Sequence, residues 1–198
     1  VNEAPASPGG RRRRPLCAAV LLAVAALASA APAAAPPAFR VEHLSTHRRQ
    51  GVYYLNADFS LKLNGRAHEA LSNGVALTFV LDVHIVRRRR LIWNAVVARL
   101  RERYRLSYRP LTEDYRVRNL NSGAQDSYDS LTAALAAVSR VRDLPLVDTS
   151  LLAAQTRYFV AVRIVLDTKD LPGPLKLIAA VVPGWQLASG WRQEALAR

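Results

Sequence analysis

From Tyr53 to Leu63 apolar and polar residues alternate, with Tyr53, Leu55, Ala57, Phe59, Leu61 and Leu63 on one side and Tyr54, Asn56, Asp58, Ser60 and Lys62 on the other. Successive side chains of a β-strand point to opposite faces, so the pattern predicts a half-buried strand. Phe39 to His47 is its expected hairpin partner across a turn at Gln50-Gly51. Arg66 to Ser72 has room only for a short helix, which Asn73-Gly74 stops. From Val75 to Val86 every second residue is apolar (Val75, Leu77, Phe79, Leu81, Val83, Ile85), and valines occupy the opposite face as well. That predicts a central strand covered on both sides.

Two periodicities compete between Leu91 and Pro110. With period two, Arg99, Arg101, Arg103, Arg105 and Arg109 share a face opposite Leu100, Tyr104, Leu106 and Tyr108; with period 3.6, Trp93, Val97, Leu100 and Tyr104 form a helical stripe. The strand formers of Tyr104 to Tyr108, followed by Pro110, favour a strand from about Arg101 onward. Tyr115 to Asn119 is the next short strand, broken by Asn121-Ser122-Gly123. Ser130 to Val141 predicts a helix with Leu131, Leu135 and Val138 as its buried stripe and Asp129 or Ser130 as its cap. Arg157 to Leu166 predicts a strand with Tyr158, Val160, Val162, Ile164 and Leu166 opposite Arg157 and Arg163. Leu171-Pro172-Gly173-Pro174 reads as a loop, followed by an apolar stretch from Leu175 to Val182 and a last strand from Trp185 to Trp191. The sum is a mainly β (α+β) fold, an antiparallel β-sandwich-like single domain with one longer and one short helix.

The first residues follow a different grammar. Arg11 to Arg14, the apolar run Leu16 to Ala28 and the small residues Ala28-Ser29-Ala30 make the basic, hydrophobic and A-x-A regions of a secretory signal peptide. This divides the chain into a signal peptide (1–30), an Ala/Pro-rich tether (31–38) and one β-rich domain (39–198), exported to the periplasm or envelope after cleavage near Ala30. Retention as a membrane anchor is the competing reading. A span needs about 20 apolar residues, and Pro32, Pro36 and Pro37 would break a longer helix. The roughly 168 remaining residues suit one domain with a real hydrophobic core. Cys17, the one cysteine, falls in the leader, so the mature domain must be stabilised by packing rather than disulfides.

The formal net charge is +13, and about +10 remains once Arg11 to Arg14 and Glu3 are removed. In a cytoplasmic protein such basicity suggests nucleic acid. Export replaces that expectation, so the partners expected are an acidic envelope protein or an anionic membrane surface, with no nucleic acid. The excess of arginine over lysine, with abundant alanine, also fits a GC-rich coding sequence, so part of the charge reflects composition.

The succession Tyr54-Leu55-Asn56-Ala57-Asp58-Phe59, Ala70-Leu71-Ser72-Asn73-Gly74-Val75 and Tyr104-Arg105-Leu106-Ser107-Tyr108 carries further information. It continues through Tyr115 to Gly123 and Leu131-Thr132-Ala133-Ala134-Leu135 to Trp185-Gln186-Leu187-Ala188-Ser189. In that order these segments resemble the proteobacterial family catalogued as domain of unknown function 4390, over nearly all of the mature chain. The resemblance implies an exported protein of unassigned activity; members of the family are often encoded near a sensor kinase gene, a hint of envelope signalling. It supplies no catalytic residues.

Candidate chemistry is sparse. Asp82 and His84 share a strand face, Asp58 lies on another strand, and Ser107, Ser122 and Ser130 are available, but no Gly-x-Ser-x-Gly elbow or Gly-rich phosphate loop occurs. Asp82 and His84 are therefore expected to be polar residues on a sheet face, and a hydrolase ranks last. His43 and His47 share a strand face yet stand too far apart to hold one ion easily, so no metal or cofactor is expected. The candidate surface is Arg87, Arg88, Arg89, Arg90 and Trp93, joined by Arg101, Arg103 and Arg105 if the period-two reading holds. Arginines beside an indole suit anionic headgroups or an acidic protein face, and a solvated hairpin tip is the plainer alternative. The function expected is a non-enzymatic envelope binding module, with anionic lipid or lipopolysaccharide binding as the alternative.

Overall fold

Gln50 and Gly51 both take positive φ, 50° and 80°, the backbone that a two-residue hairpin turn requires. The chain reverses there between β1 (Phe39–Arg49) and β2 (Val52–Leu61), with Arg49 opposite Val52. The hairpin is the one the alternating pattern predicts. A computed structural model describes residues 38–88, 94–182 and 184–196, and these described residues belong to one compact unit. The leader, all but the last residue of the tether, and Arg89, Arg90 and Trp93 lie outside the described residues.

Two antiparallel sheets are described. The smaller has the order β1-β2-β7, with β7 spanning Arg140–Asp148. The larger runs β6 (Gln125–Tyr128), β5 (Asp114–Asn119), β4 (Ala95–Arg109), β3 (Leu77–Arg87), β8 (Tyr158–Leu166), β9 (Arg192–Ala195). Helix α1 (Gly65–Ser72) starts at Asn64, whose side chain accepts from the Ala67 amide at 3.0 Å. Helix α2 (Leu131–Val138) starts at Ser130, whose hydroxyl accepts from the Ala133 amide at 3.2 Å. Each cap satisfies an amide that the first helical turn leaves unpaired. A third helix, α3 (Gly173–Val181), carries Pro near its first position.

The core forms between the sheets. Leu55, Ala57 and Phe59 of β2 meet Leu77, Phe79, Leu81, Val83 and Ile85 of β3 and Val160, Val162 and Ile164 of β8, all buried. Phe39 and Phe79 join the sheets, their ring centroids 5.8 Å apart. Fully burying one such side chain contributes about 1.5–3 kcal/mol, so this layer dominates the fold's stability.

Several expectations need correction. Strand β4 begins at Ala95, earlier than Arg101, so the helical stripe through Val97 gives way; period two runs from Ala98 to Arg109, and Val97 is a bulge, since Ile85 pairs with Ala98 but Val86 with Val96. Helix α2 ends at Val138 rather than Val141, and buries Ala134 and Val138, with Leu131 and Leu135 only packed against the core. Val141 instead belongs to β7, an edge strand whose Pro145 and left-handed Asp143 (φ 48°) hide its alternation. Gly173 and Pro174 open a helix rather than continuing a loop, since proline fits the first helical turn. Between Trp185 and Trp191 only Ala188 bridges, to Val165, and the closing strand is Arg192–Ala195. Trp185, Leu187 and Ser189 are nevertheless buried, so the alternation tracks burial without a full ladder.

Candidate functional site

The register of β3 and β4 decides what the outer face of the larger sheet carries. Odd residues of β3 fill the core, so Thr78, Val80, Asp82 and His84 point the other way, opposite Arg105, Arg103, Arg101 and Arg99 of β4. On the next strand Arg118 stands opposite Arg105 and Arg116 opposite Ser107. On the other side of β3, Arg163 of β8 stands opposite Asp82. Arginines along β4 repeat about every 6.8 Å, twice the rise per residue of a strand. Like charges directly opposite one another, as at Arg105 and Arg118, are destabilising unless an anion intervenes.

Three aspartates hold parts of this face in place. Asp82, its side chain 5% exposed, accepts from Arg101 Nε through Oδ1 at 2.9 Å and from Arg163 Nε through Oδ2 at 3.0 Å. Those two arginines remain 66% and 39% exposed, so each keeps donors free for solvent or a ligand. Asp170, in the 3₁₀ turn Thr168–Asp170, accepts from Arg103 Nη2 at 2.6 Å and lies 3.7 Å from Arg105. Asp114 accepts from Arg109 Nε at 2.8 Å and Nη2 at 2.5 Å, and also from the Thr112 hydroxyl. The Arg109 hydrogen bonds foremost, and those of Thr112 next, hold the Asp114 carboxyl well below the usual carboxylate range. Among the described residues Arg99, Arg116 and Arg118 have no carboxylate partner, and Arg116 Nε is buried without a hydrogen bond. Positive charge is therefore in excess.

Trp191 closes one side. Its ring lies 4.6 Å from the Arg163 guanidinium carbon and 4.6 Å from the His84 ring, tilted at 36°. Partial burial, then Arg99, lower the His84 pKa below its ordinary 6.5, with Asp82 opposing, which favours the neutral imidazole. Beside it an open cavity of about 270 Å³ is lined by Asp82, Arg101, Arg163, Val165, Thr168 and Lys169. Thr78 and Val80 are buried on this outer side too, where the 3₁₀ turn Thr168–Asp170 packs against β3 and the Asp167 amide donates to the Thr78 carbonyl at 2.7 Å.

Of the candidate residues, the structure brings Arg101, Arg103 and Arg105 together on this face. Arg87 ends β3 opposite Tyr158, and Arg88 follows with its guanidinium carbon 5.8 Å from the Phe159 ring. They stand roughly 10 Å along β3 beyond the level of Arg99, the near end of the row, at the strand rise of about 3.3 Å per residue, and border a different cavity. There Arg88 and Arg157 line an open cavity of about 500 Å³ with Tyr53 and Tyr158. The period-two reading did not point to Arg116, Arg118, Asp170 or Trp191 as part of the surface. The Arg-Val-Arg alternation of β5 was the available signal, while the contribution of Asp170 and Trp191 depends on how distant segments pack.

The residues weighed for hydrolysis do not converge. Asp58 faces outward from the smaller sheet and accepts from Arg142 Nη2 at 2.5 Å, Ser130 caps α2, and the Ser122 hydroxyl accepts from the Ala124 amide at 3.3 Å. His47 lies 3.1 Å from Asp143 and stacks on Tyr54, with ring centroids 5.5 Å apart. Both oxygens of Asp82 are occupied by arginines rather than by a base.

A family model described as domain of unknown function (DUF4390) matches residues 37–195. No curated protein and no solved structure matches the chain.

Proposed function

We propose that this chain, which belongs to the DUF4390 family, is an exported, non-enzymatic binding module of the cell envelope whose arginine face docks an anionic surface. The family description assigns no chemistry, so the reading rests on residues. The observation that carries it is the row Arg99, Arg101, Arg103 and Arg105 on one strand, flanked by Arg118 and Arg163 on its neighbours. Guanidinium groups are planar forks that match carboxylates and phosphates, and a sheet presents them at fixed spacing. Export rests on Arg11 to Arg14, Leu16 to Ala28 and Ala28-Ser29-Ala30. An acidic face of a sensor protein and anionic headgroups both supply the required groups.

The test uses the untagged chain expressed in a Gram-negative host and washed envelopes from the same cells. The mass should begin near Ala31 in the periplasmic or envelope fraction. Wild type should be retained on envelopes at low salt and released as salt rises, because screening weakens exposed charge pairs. R99A/R105A/R118A, which changes three exposed side chains, should lose most of that retention with its melting curve unchanged. Equal retention of the two proteins, or none for wild type, overturns the reading.

A further inference from the structure

Helix α3 exposes the wrong residues for a helix lying against water. Leu175 packs against the core and Ala179 is buried, as one stripe should be, yet Leu177, Ile178 and Val181 are 73%, 48% and 82% exposed. Positions separated by three and four residues share a helix face, so these three form one aliphatic patch where charged residues are the rule. Lys176 lies exposed within the same helix. The helix packs on the 3₁₀ turn Thr168–Asp170, where Lys169 is exposed and Asp170 is fastened to Arg103 and Arg105. The aliphatic patch is thus tied to the positive end of the arginine face.

From this pairing we infer that the chain docks on an anionic bilayer surface, with Leu177, Ile178 and Val181 entering the headgroup boundary while Lys169, Lys176 and Arg105 meet lipid phosphates. The inference rests on the anionic-surface reading above and names its partner. Charge complementarity selects the occupant: an exposed aliphatic patch with a lysine on its own helix and another on the turn beneath it is the composition of a helix that lies in a membrane interface. Nine residues give α3 a length of roughly 14 Å at about 1.5 Å per residue, so it lies on a bilayer and does not span it. Among the described residues no helix is long and apolar enough to cross a membrane.

The experiment is co-sedimentation of the processed chain with vesicles of phosphatidylethanolamine containing about one-third phosphatidylglycerol, against pure phosphatidylcholine. Wild type should bind the anionic vesicles only. L177S/I178S/V181S should bind at least about tenfold more weakly with its fold intact, and R99A/R105A/R118A roughly a hundredfold more weakly with a shallower salt dependence. L177W should show a blue-shifted emission increment on the anionic vesicles. Loss of vesicle binding with envelope retention preserved overturns the bilayer assignment and points to an acidic protein, while loss of both overturns the anionic-surface reading as well. Vesicle binding indifferent to the helix variant removes α3 from the contact. A wild-type dimer that L177S/I178S/V181S dissociates would make a second copy the occupant and overturn the inference.

Discussion

Arg163 of β8 places both Nε and Nη2 at 3.0 Å from one oxygen of Asp82, the Oδ2 atom, across the β3–β8 ladder. The other oxygen belongs to Arg101. One nearly buried carboxylate therefore sets the angle of two arginines whose outer donors face solvent. It acts as a fixed internal anion, aligning cations that would otherwise spread apart.

Replacing Asp82 by Asn should cost about 1–3 kcal/mol, the range for losing charge-assisted hydrogen bonds to a buried group. The lower end is expected because Arg101 and Arg163 can turn to water. Urea unfolding should show a lower midpoint with an unchanged slope. An unchanged midpoint would mean that Asp82 is not needed to hold the face together.

His84 offers a reporter for the same surface. Its pKa is lowered by partial burial and next by Arg99, so NMR titration should place its midpoint below 6.5. Because the folded value is depressed, the associated stability is present above 6.5 and is lost as pH falls through the folded midpoint. R99A should raise the midpoint, and so should a bound anion that offsets Arg99. A midpoint unmoved by R99A would separate His84 from the arginine row.

On the core side of β4, Tyr104 is pushed up to about 12 by burial and next by the nearby Glu102 carboxylate. The folded state holds this proton more tightly than the unfolded chain, so the stability it contributes is complete below pH 10 and disappears between 10 and about 12. Ultraviolet titration should show a late phenolate step that Tyr104→Phe removes. A single ordinary step near pH 10 would place Tyr104 in contact with water.

Phe79→Ala should destabilise the domain by about 3–5 kcal/mol, since it opens a cavity where the two sheets meet. Phe39 lies against it and should show a comparable loss, with the double variant costing less than the sum because both empty the same space. Chemical denaturation of the three variants measures this directly.

The sheet strands with strict alternation were legible because their period encodes burial: β2, β3 and β8 need no tertiary information to be assigned a face. β4 was legible in its C-terminal half, where tyrosines and leucines alternate with arginines, while Ala95 to Ala98 offers small and branched residues on both faces. β7 escaped because Pro145 and the left-handed Asp143 interrupt its pattern, features an edge strand tolerates. Helix α3 was hidden by Pro172, Gly173 and Pro174, which signal a turn and a helix start alike. As for the surface, Arg101, Arg103 and Arg105 follow from period two, but nothing local relates them to Asp170 or Trp191, which arrive from later in the chain.

Strand β4 also constrains how the chain reaches its native pairing. A slip of one residue against β3 would turn Arg101, Arg103 and Arg105 toward Leu77, Phe79 and Leu81 and push Leu100, Tyr104 and Leu106 into water. Each arginine trapped without a partner among those side chains would cost several kcal/mol, more than a neighbouring hydrogen-bond register could recover. Misaligned pairings are thus disfavoured, which leaves one register open to the two longest neighbouring strands of the six-stranded sheet.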